Sequence, residues 1–121
     1  MPTPFFLDTN ILIYAFEPDH PEKMKKARQL IHDTLPWVIS WQVVQEFCSV
    51  SLHRFKIPLT NSYLETLVEL LLTPHCKVYP DAALWKHALD LRAGTQYRFY
   101  DCLIVAAALR SGAPVLYSED L

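Results

Sequence analysis

Several features that would place this chain outside the ordinary globular domains are missing. No apolar run reaches the ~18 residues of a membrane span, and the longest, around Leu103 to Leu109, is rich in alanine. The start, Met1-Pro2-Thr3-Pro4, has no basic stretch leading into a long apolar one, so no signal peptide is expected. Cys48, Cys76 and Cys102 are the only cysteines. Their odd count, wide spacing and lack of a Cys-x-x-Cys pair exclude a disulfide framework and read as free, buried thiols in a reducing cytoplasm. The five histidines are scattered, and none joins a cysteine at zinc-ligand spacing. Charge of one sign is also scarce. The formal net charge of −2 argues against drawing nucleic acid by bulk attraction. It leaves open a nucleic-acid substrate, because a bound metal supplies positive charge locally. Basic residues cluster at Lys23, Lys25, Lys26 and Arg28, and again at Arg54 and Lys56; both groups read as solvated faces. Glycine is scarce too, with only Gly94 and Gly112. Each follows an expected helix end, where a left-handed residue closes the last turn.

What is present fits one domain spanning residues 1–121, with 51% apolar and 20% charged residues. A chain of this length buries about two-thirds of its unfolded surface. Short apolar runs at Phe5-Phe6-Leu7, Trp37-Val38-Ile39, Cys76-Lys77-Val78-Tyr79 and Val115-Leu116-Tyr117 read as strands. Helical spacing separates them. A short helix carries Ile11, Leu12, Tyr14 and Ala15 and stops by Pro18. Pro21-Glu22 opens a helix running to about Thr34. Ser40 caps a helix from Trp41 to about His53. Ser62 and Glu65 match a capping box for a helix that Pro74 ends. Asp81 caps a helix closing at Gly94, and a last helix runs from about Phe99 to Gly112. Strands alternating with helices in continuous apolar runs predict an α/β domain with a parallel sheet covered on both faces. Ligands of such sheets bind outside the carboxyl ends of the strands.

Four acids stand at or beside the ends of apolar runs: Asp8, Glu46, Asp101 and Asp120. Asp8 and Asp120 follow strands, Asp101 lies in the first turn of its helix, and Glu46 borders the apolar face made by Val43, Val44, Phe47 and Val50. Each has a bland reading alone, as a turn residue, an exposed helix position or a residue favoured by the helix dipole. Together they predict acids converging on one edge of the sheet. Carboxylates ~5 Å apart repel by a few kcal/mol at an effective dielectric of ~20, so a cluster of them calls for a hard cation with oxygen ligands.

The segments Phe6-Leu7-Asp8-Thr9-Asn10-Ile11-Leu12, Tyr100-Asp101-Cys102-Leu103-Ile104-Val105-Ala106 and Leu116-Tyr117-Ser118-Glu119-Asp120-Leu121, with Glu46 in its apolar helix, resemble the PIN-domain ribonucleases. Among these the likeness is greatest to the VapC-type toxins of bacterial and archaeal toxin–antitoxin pairs. The resemblance runs through nearly the whole chain, in order. It implies a three-layer α/β/α domain and a Mg²⁺- or Mn²⁺-dependent endoribonuclease. The acidic catalytic and metal-binding positions fall on Asp8, Glu46, Asp101 and Asp120, and Asn10 and Ser118 match supporting polar positions. The resemblance also implies an RNA substrate, a homodimer, and a cognate antitoxin whose tail occupies the active-site groove. Family members continue past the Ser-Glu-Asp-Leu motif into a further short strand; the sequence stops at Leu121, leaving that edge strand out and Asp120 beside the terminus.

In such a site the cation lowers the pKa of a bound water and offsets charge developing on the phosphate. Three other readings compete. One is a different PIN-type RNA-processing nuclease. Another is a haloacid-dehalogenase-like phosphatase, which needs Asp-x-Asp where this chain has Asn10, a residue unable to donate the proton. The third is a non-catalytic partner-binding module on the same fold.

Overall fold

The computed structural model describes residues 3–32 and 35–119. Four parallel strands form one sheet in the order β3-β2-β1-β4: β1 is Phe5–Leu7, β2 Trp37–Ser40, β3 Cys76–Val78 and β4 Val115–Tyr117. Register is set by Phe5 opposite both Trp37 and Val115, and by Phe6 opposite Val38 and Leu116. Phe6 and Leu7 point to opposite faces of the central strand, and both are wholly buried. Both faces are therefore covered, as continuous apolar strands require. The covering helices are α1 (Thr9–Tyr14), α2 (Pro21–Leu30), α3 (Trp41–His53), α4 (Asn61–Leu67), α5 (Thr73–His75), α6 (Ala82–Gly94) and α7 (Phe99–Ser111). Helix α1 packs on α2 and α3, and α6 packs along α7. The expected α/β fold with its parallel central sheet is the one observed.

The order of strands places the site. From β1 the chain steps to β2 and then β3. It then returns through α6 and α7 to lay β4 on the other side of β1. The direction of winding reverses at β1, and a crevice opens there at the carboxyl edge.

Local chemistry differs from the sequence expectations at five points. Helix α2 ends at Leu30, short of Thr34, which lies outside the described residues. The cap of α4 is Thr60, not Ser62: Thr60 is extended, and its hydroxyl accepts from the Tyr63 amide at 3.1 Å. The Ser62–Glu65 capping box therefore does not form. Pro74 does not end that helical region either. A π turn over Val68–Leu72 restarts the hydrogen-bond ladder, which puts Pro74 in the first turn of α5, where its missing N–H is tolerated. Gly94 remains in α6 without a positive φ. The end is closed by extended Thr95, whose hydroxyl donates to the Leu91 carbonyl at 2.8 Å. Gly112, at φ 77°, is the left-handed glycine expected after α7. Ser40 does stand at the start of α3, but its side chain makes no capping bond; its hydroxyl is buried without a partner among the described residues.

Candidate active site

The crevice beside β1 is a cleft of ≈ 250 Å³ lined by Asp8, Asn10, Glu46 and Asp101, with Thr9, Gln42, Arg54 and Tyr100 among the other walls. Each acid arrives there for a local reason. Asp8 leaves β1 in extended conformation and caps α1, its Oδ1 accepting from the Thr9 amide at 2.7 Å. Its Oδ2 accepts from the Ser118 hydroxyl at 2.7 Å, just beyond β4. Glu46 lies half-buried in α3, which starts directly from β2 and so carries its first turns over the carboxyl edge. Asp101 lies half-buried in the first turn of α7.

Glu46 is held by two donors on one oxygen. Thr9 Oγ1 donates to its Oε1 at 2.8 Å, and Gln42 Nε2 reaches the same atom at 3.4 Å. Gln42 Nε2 also donates to the Tyr100 carbonyl at 3.2 Å, tying α3 to the start of α7. The Asp101 carboxylate takes no hydrogen bond or ion pair among the described residues, although it is half-buried in the cleft. Asn10 Oδ1 accepts from the Glu119 amide at 3.4 Å, so its side chain holds the segment after β4. Asp120 lies outside the described residues.

The cleft thus gathers Asp8, Glu46 and Asp101, with Asn10 and Ser118 bonded around them. Among the described residues no three His, Cys, Asp or Glu side chains stand close enough to hold a metal ion as a group. The donor set still suits a hard cation. The oxygens turned to the cleft come from carboxylates, and Mg²⁺ takes one or two carboxylates while keeping several waters. Asp101 and the second oxygen of Glu46 make no bond among the described residues that would compete.

Sequence reasoning passed over three residues here. Neither Thr9 nor Gln42 stands out in the sequence as a site residue, and Arg54 reads there only as part of a solvated basic pair. The i, i+4 spacing of Gln42 and Glu46, extended to Val50 and Arg54, was the available signal: it sets all four on one stripe of α3.

A second anchor lies just outside the cleft. Tyr14 donates its hydroxyl to Glu119 at 2.7 Å, and Lys23 pairs with the same carboxylate at 3.2 Å. Lys23 also sits 4.7 Å from the Tyr14 ring centroid. The Tyr14 bond, then Lys23, holds the Glu119 carboxyl below its ordinary range, and the same contacts raise Lys23. One residue of this solvated cluster therefore fixes the segment that carries Ser118.

The PIN domain family matches residues 5–121. Among solved structures the chain is similar to the Mycobacterium tuberculosis toxin VapC20, described as cleaving the sarcin–ricin loop. Identity is 17%, with 96% of this chain and 91% of that one covered, at a TM-score of 0.71. It is also similar to VapBC2 from Rickettsia felis, solved bound to a DNA fragment from their promoter: 18% identity, 94% and 86% coverage, TM-score 0.61. No curated protein matches.

Proposed function

The chain belongs to the PIN-domain family, and from that premise we propose that it is a metal-dependent endoribonuclease, the toxin of a toxin–antitoxin pair. One observation carries this reading: three carboxylates from three separate elements face one cleft at the winding reversal of the sheet, with Asp101 making no hydrogen bond or ion pair there among the described residues. Asp8, Glu46 and Asp101, which do not stand close enough to ligate one ion as a group among the described residues, would hold Mg²⁺ or Mn²⁺ through one or two carboxylates and bound waters, with Asp120 as the fourth acid. When bound, the ion supplies an activated water and offsets charge developing on the phosphate. The chain's own part is positioning. Thr9 and Gln42 turn Glu46, Ser118 fixes Asp8, and Asn10 holds the segment after β4.

The same reading carries an antitoxin as protein partner, action in the cytoplasm and a homodimer. Among the described residues no helix is long and apolar enough to cross a membrane. Trp85 and Leu89, one turn apart on α6, are about half exposed and offer apolar surface to a second copy. The phosphatase alternative is set aside by the family match and by Asn10, whose amide is engaged with Glu119.

The deciding experiment incubates purified protein with single-stranded RNA in Mg²⁺, in Mn²⁺ and in EDTA. Cleavage is expected with either metal, none with EDTA, and none from Asp101→Asn. Cleavage that persists in EDTA, or an Asp101→Asn protein as active as the parent, overturns the assignment.

A further inference from the structure

Arg54 is the only cation among the residues lining the acidic cleft, and it also lines a second hollow of ≈ 350 Å³. That hollow is walled by Phe16 and Phe55 and by the exposed side chain of Ile57, with Lys56 and His20 on it as well. Arg54 terminates α3, two turns beyond Glu46 on the same stripe. Its exposed side chain, like that of Lys56, takes part in no ion pair or side-chain hydrogen bond among the described residues. Among the described residues the basic side chains that do make ion pairs, Lys23 and Arg110, are occupied by carboxylates elsewhere.

A phosphodiester chain entering a cleft of three acids is repelled unless a cation stands beside it. Arg54 is the residue in that place, and its planar fork suits phosphate. We infer that the hollow across Arg54 is a nucleotide subsite for single-stranded RNA. Arg54, with Lys56, holds a phosphate next to the one cleaved, and the flanking base enters the apolar wall of Phe16, Phe55 and Ile57. Glu17 and Asp19, also on this hollow, keep phosphate off its far rim and favour the Arg54 side. The volume is that of a small-ligand pocket, enough for one nucleoside. Bases are held on apolar and aromatic surface without demanding one sequence. This inference rests on the nuclease reading for its substrate, but its test does not need cleavage.

The experiment measures binding of a short single-stranded oligoribonucleotide by anisotropy across a salt series, in the Asp8→Asn background and again in Asp101→Asn. Adding Arg54→Gln is expected to weaken binding about tenfold and to make the log K against log salt slope shallower by ~0.7, the value of one phosphate contact on a single strand. Arg54→Lys should keep most of the slope. The exposed position predicts no change in Tm. Wild-type affinity and slope in Arg54→Gln overturn the subsite, as does an absence of RNA binding in both parents. Equal losses in Arg54→Gln and Arg54→Lys with a lowered Tm also overturn it, since they report packing. RNA binding that depends on Arg54 in a protein that cleaves nothing would sink the nuclease reading and leave the subsite standing. Cleavage with an indifferent Arg54 would do the reverse.

Discussion

Ser118 donates its hydroxyl to Asp8 across 2.7 Å, joining the end of β4 to the end of β1 from opposite ends of the chain. Asp8 is 8% exposed, so the bond orients a carboxylate that water barely reaches. Ser118→Ala removes that donor and leaves the Thr9 amide in place. A lost bond to a charged group costs about 1.5–3 kcal/mol. We expect stability to fall toward the lower end of that range and cleavage to slow about tenfold, because Asp8 loses its orientation. Chemical denaturation and single-turnover cleavage check the two effects separately. Unchanged turnover would mean that Ser118 supports the fold alone.

Asp8→Asn is expected to abolish cleavage and leave the fold intact. The amide keeps one acceptor for the Thr9 N–H. Ser118 can accept as well as donate, so it adapts to the new NH₂ group. Replacing the charge also removes repulsion from Glu46 and Asp101. In EDTA the variant should melt at or above the wild-type temperature, and added Mg²⁺ should raise the wild type more than the variant. A variant that cleaves RNA at the parental rate removes Asp8 from the mechanism.

These residues also show what could be read before folding. The strands, Asp8 after β1 and the helix Trp41–His53 were legible because period and end chemistry are local properties of the chain. The parallel sheet followed from alternation, but the pairing of β1 with both β2 and β4 did not, because strand order is set by crossovers that no local pattern records. The hydrogen bonds from Thr9 and Gln42 to Glu46 were not legible, because they join elements 37 residues apart or depend on the rotation of α3. The Ser62 cap failed because Thr60, two residues earlier, offered the same hydroxyl in extended backbone. Lys23 is exposed as expected, but its pairing with Glu119 was not legible because the two lie 96 residues apart.

The Glu119 clasp should be sensitive to acid. Its carboxyl is held below 4.5 by the Tyr14 hydroxyl first and by Lys23 second. A depressed carboxylate contributes stability that is fully present above the unfolded value and is lost as pH falls through the folded one. The melting difference between wild type and Glu119→Gln is therefore expected at neutral pH and should vanish as pH drops below 4.5. Because the pair is about half exposed, salt should shrink the difference as well. A difference that persists unchanged in acid would assign it to packing.

The two glycines should respond in opposite directions. A Cβ at either position meets nothing within 4 Å, so backbone conformation alone decides. Gly112 has φ 77°, and Gly112→Ala should destabilise by about 1 kcal/mol. Gly94 is helical, and Gly94→Ala should stabilise by about 0.5 kcal/mol, since alanine loses less entropy on entering a helix. Denaturant midpoints at equal m-values test both. A destabilised Gly94→Ala would show that α6 ends one residue earlier in solution.

Gln42 should separate stability from activity. Its NH₂ group reaches two acceptors, Glu46 Oε1 at 3.4 Å and the Tyr100 carbonyl at 3.2 Å. Turning the amide over would set its oxygen against both, so the observed orientation is forced. That orientation leaves Oε1 buried without a partner among the described residues, a cost of about 1–3 kcal/mol. A residue retained against such a cost is expected to serve the site. Gln42→Met matches the length, removes the unpaired oxygen and fills the space. It also frees Glu46 to rotate about Thr9 and cuts the link between α3 and the turn that carries Asp101. The variant should be as stable as wild type or more so, yet cleave RNA ten- to a hundredfold more slowly, with the loss in kcat and not in KM. Gln42→Glu should be worse in both respects, because it sets a second carboxylate against Glu46 and against the Tyr100 carbonyl. Parallel melts and steady-state cleavage decide the matter. A Gln42→Met protein that loses stability but keeps its kcat would make this side chain a packing residue.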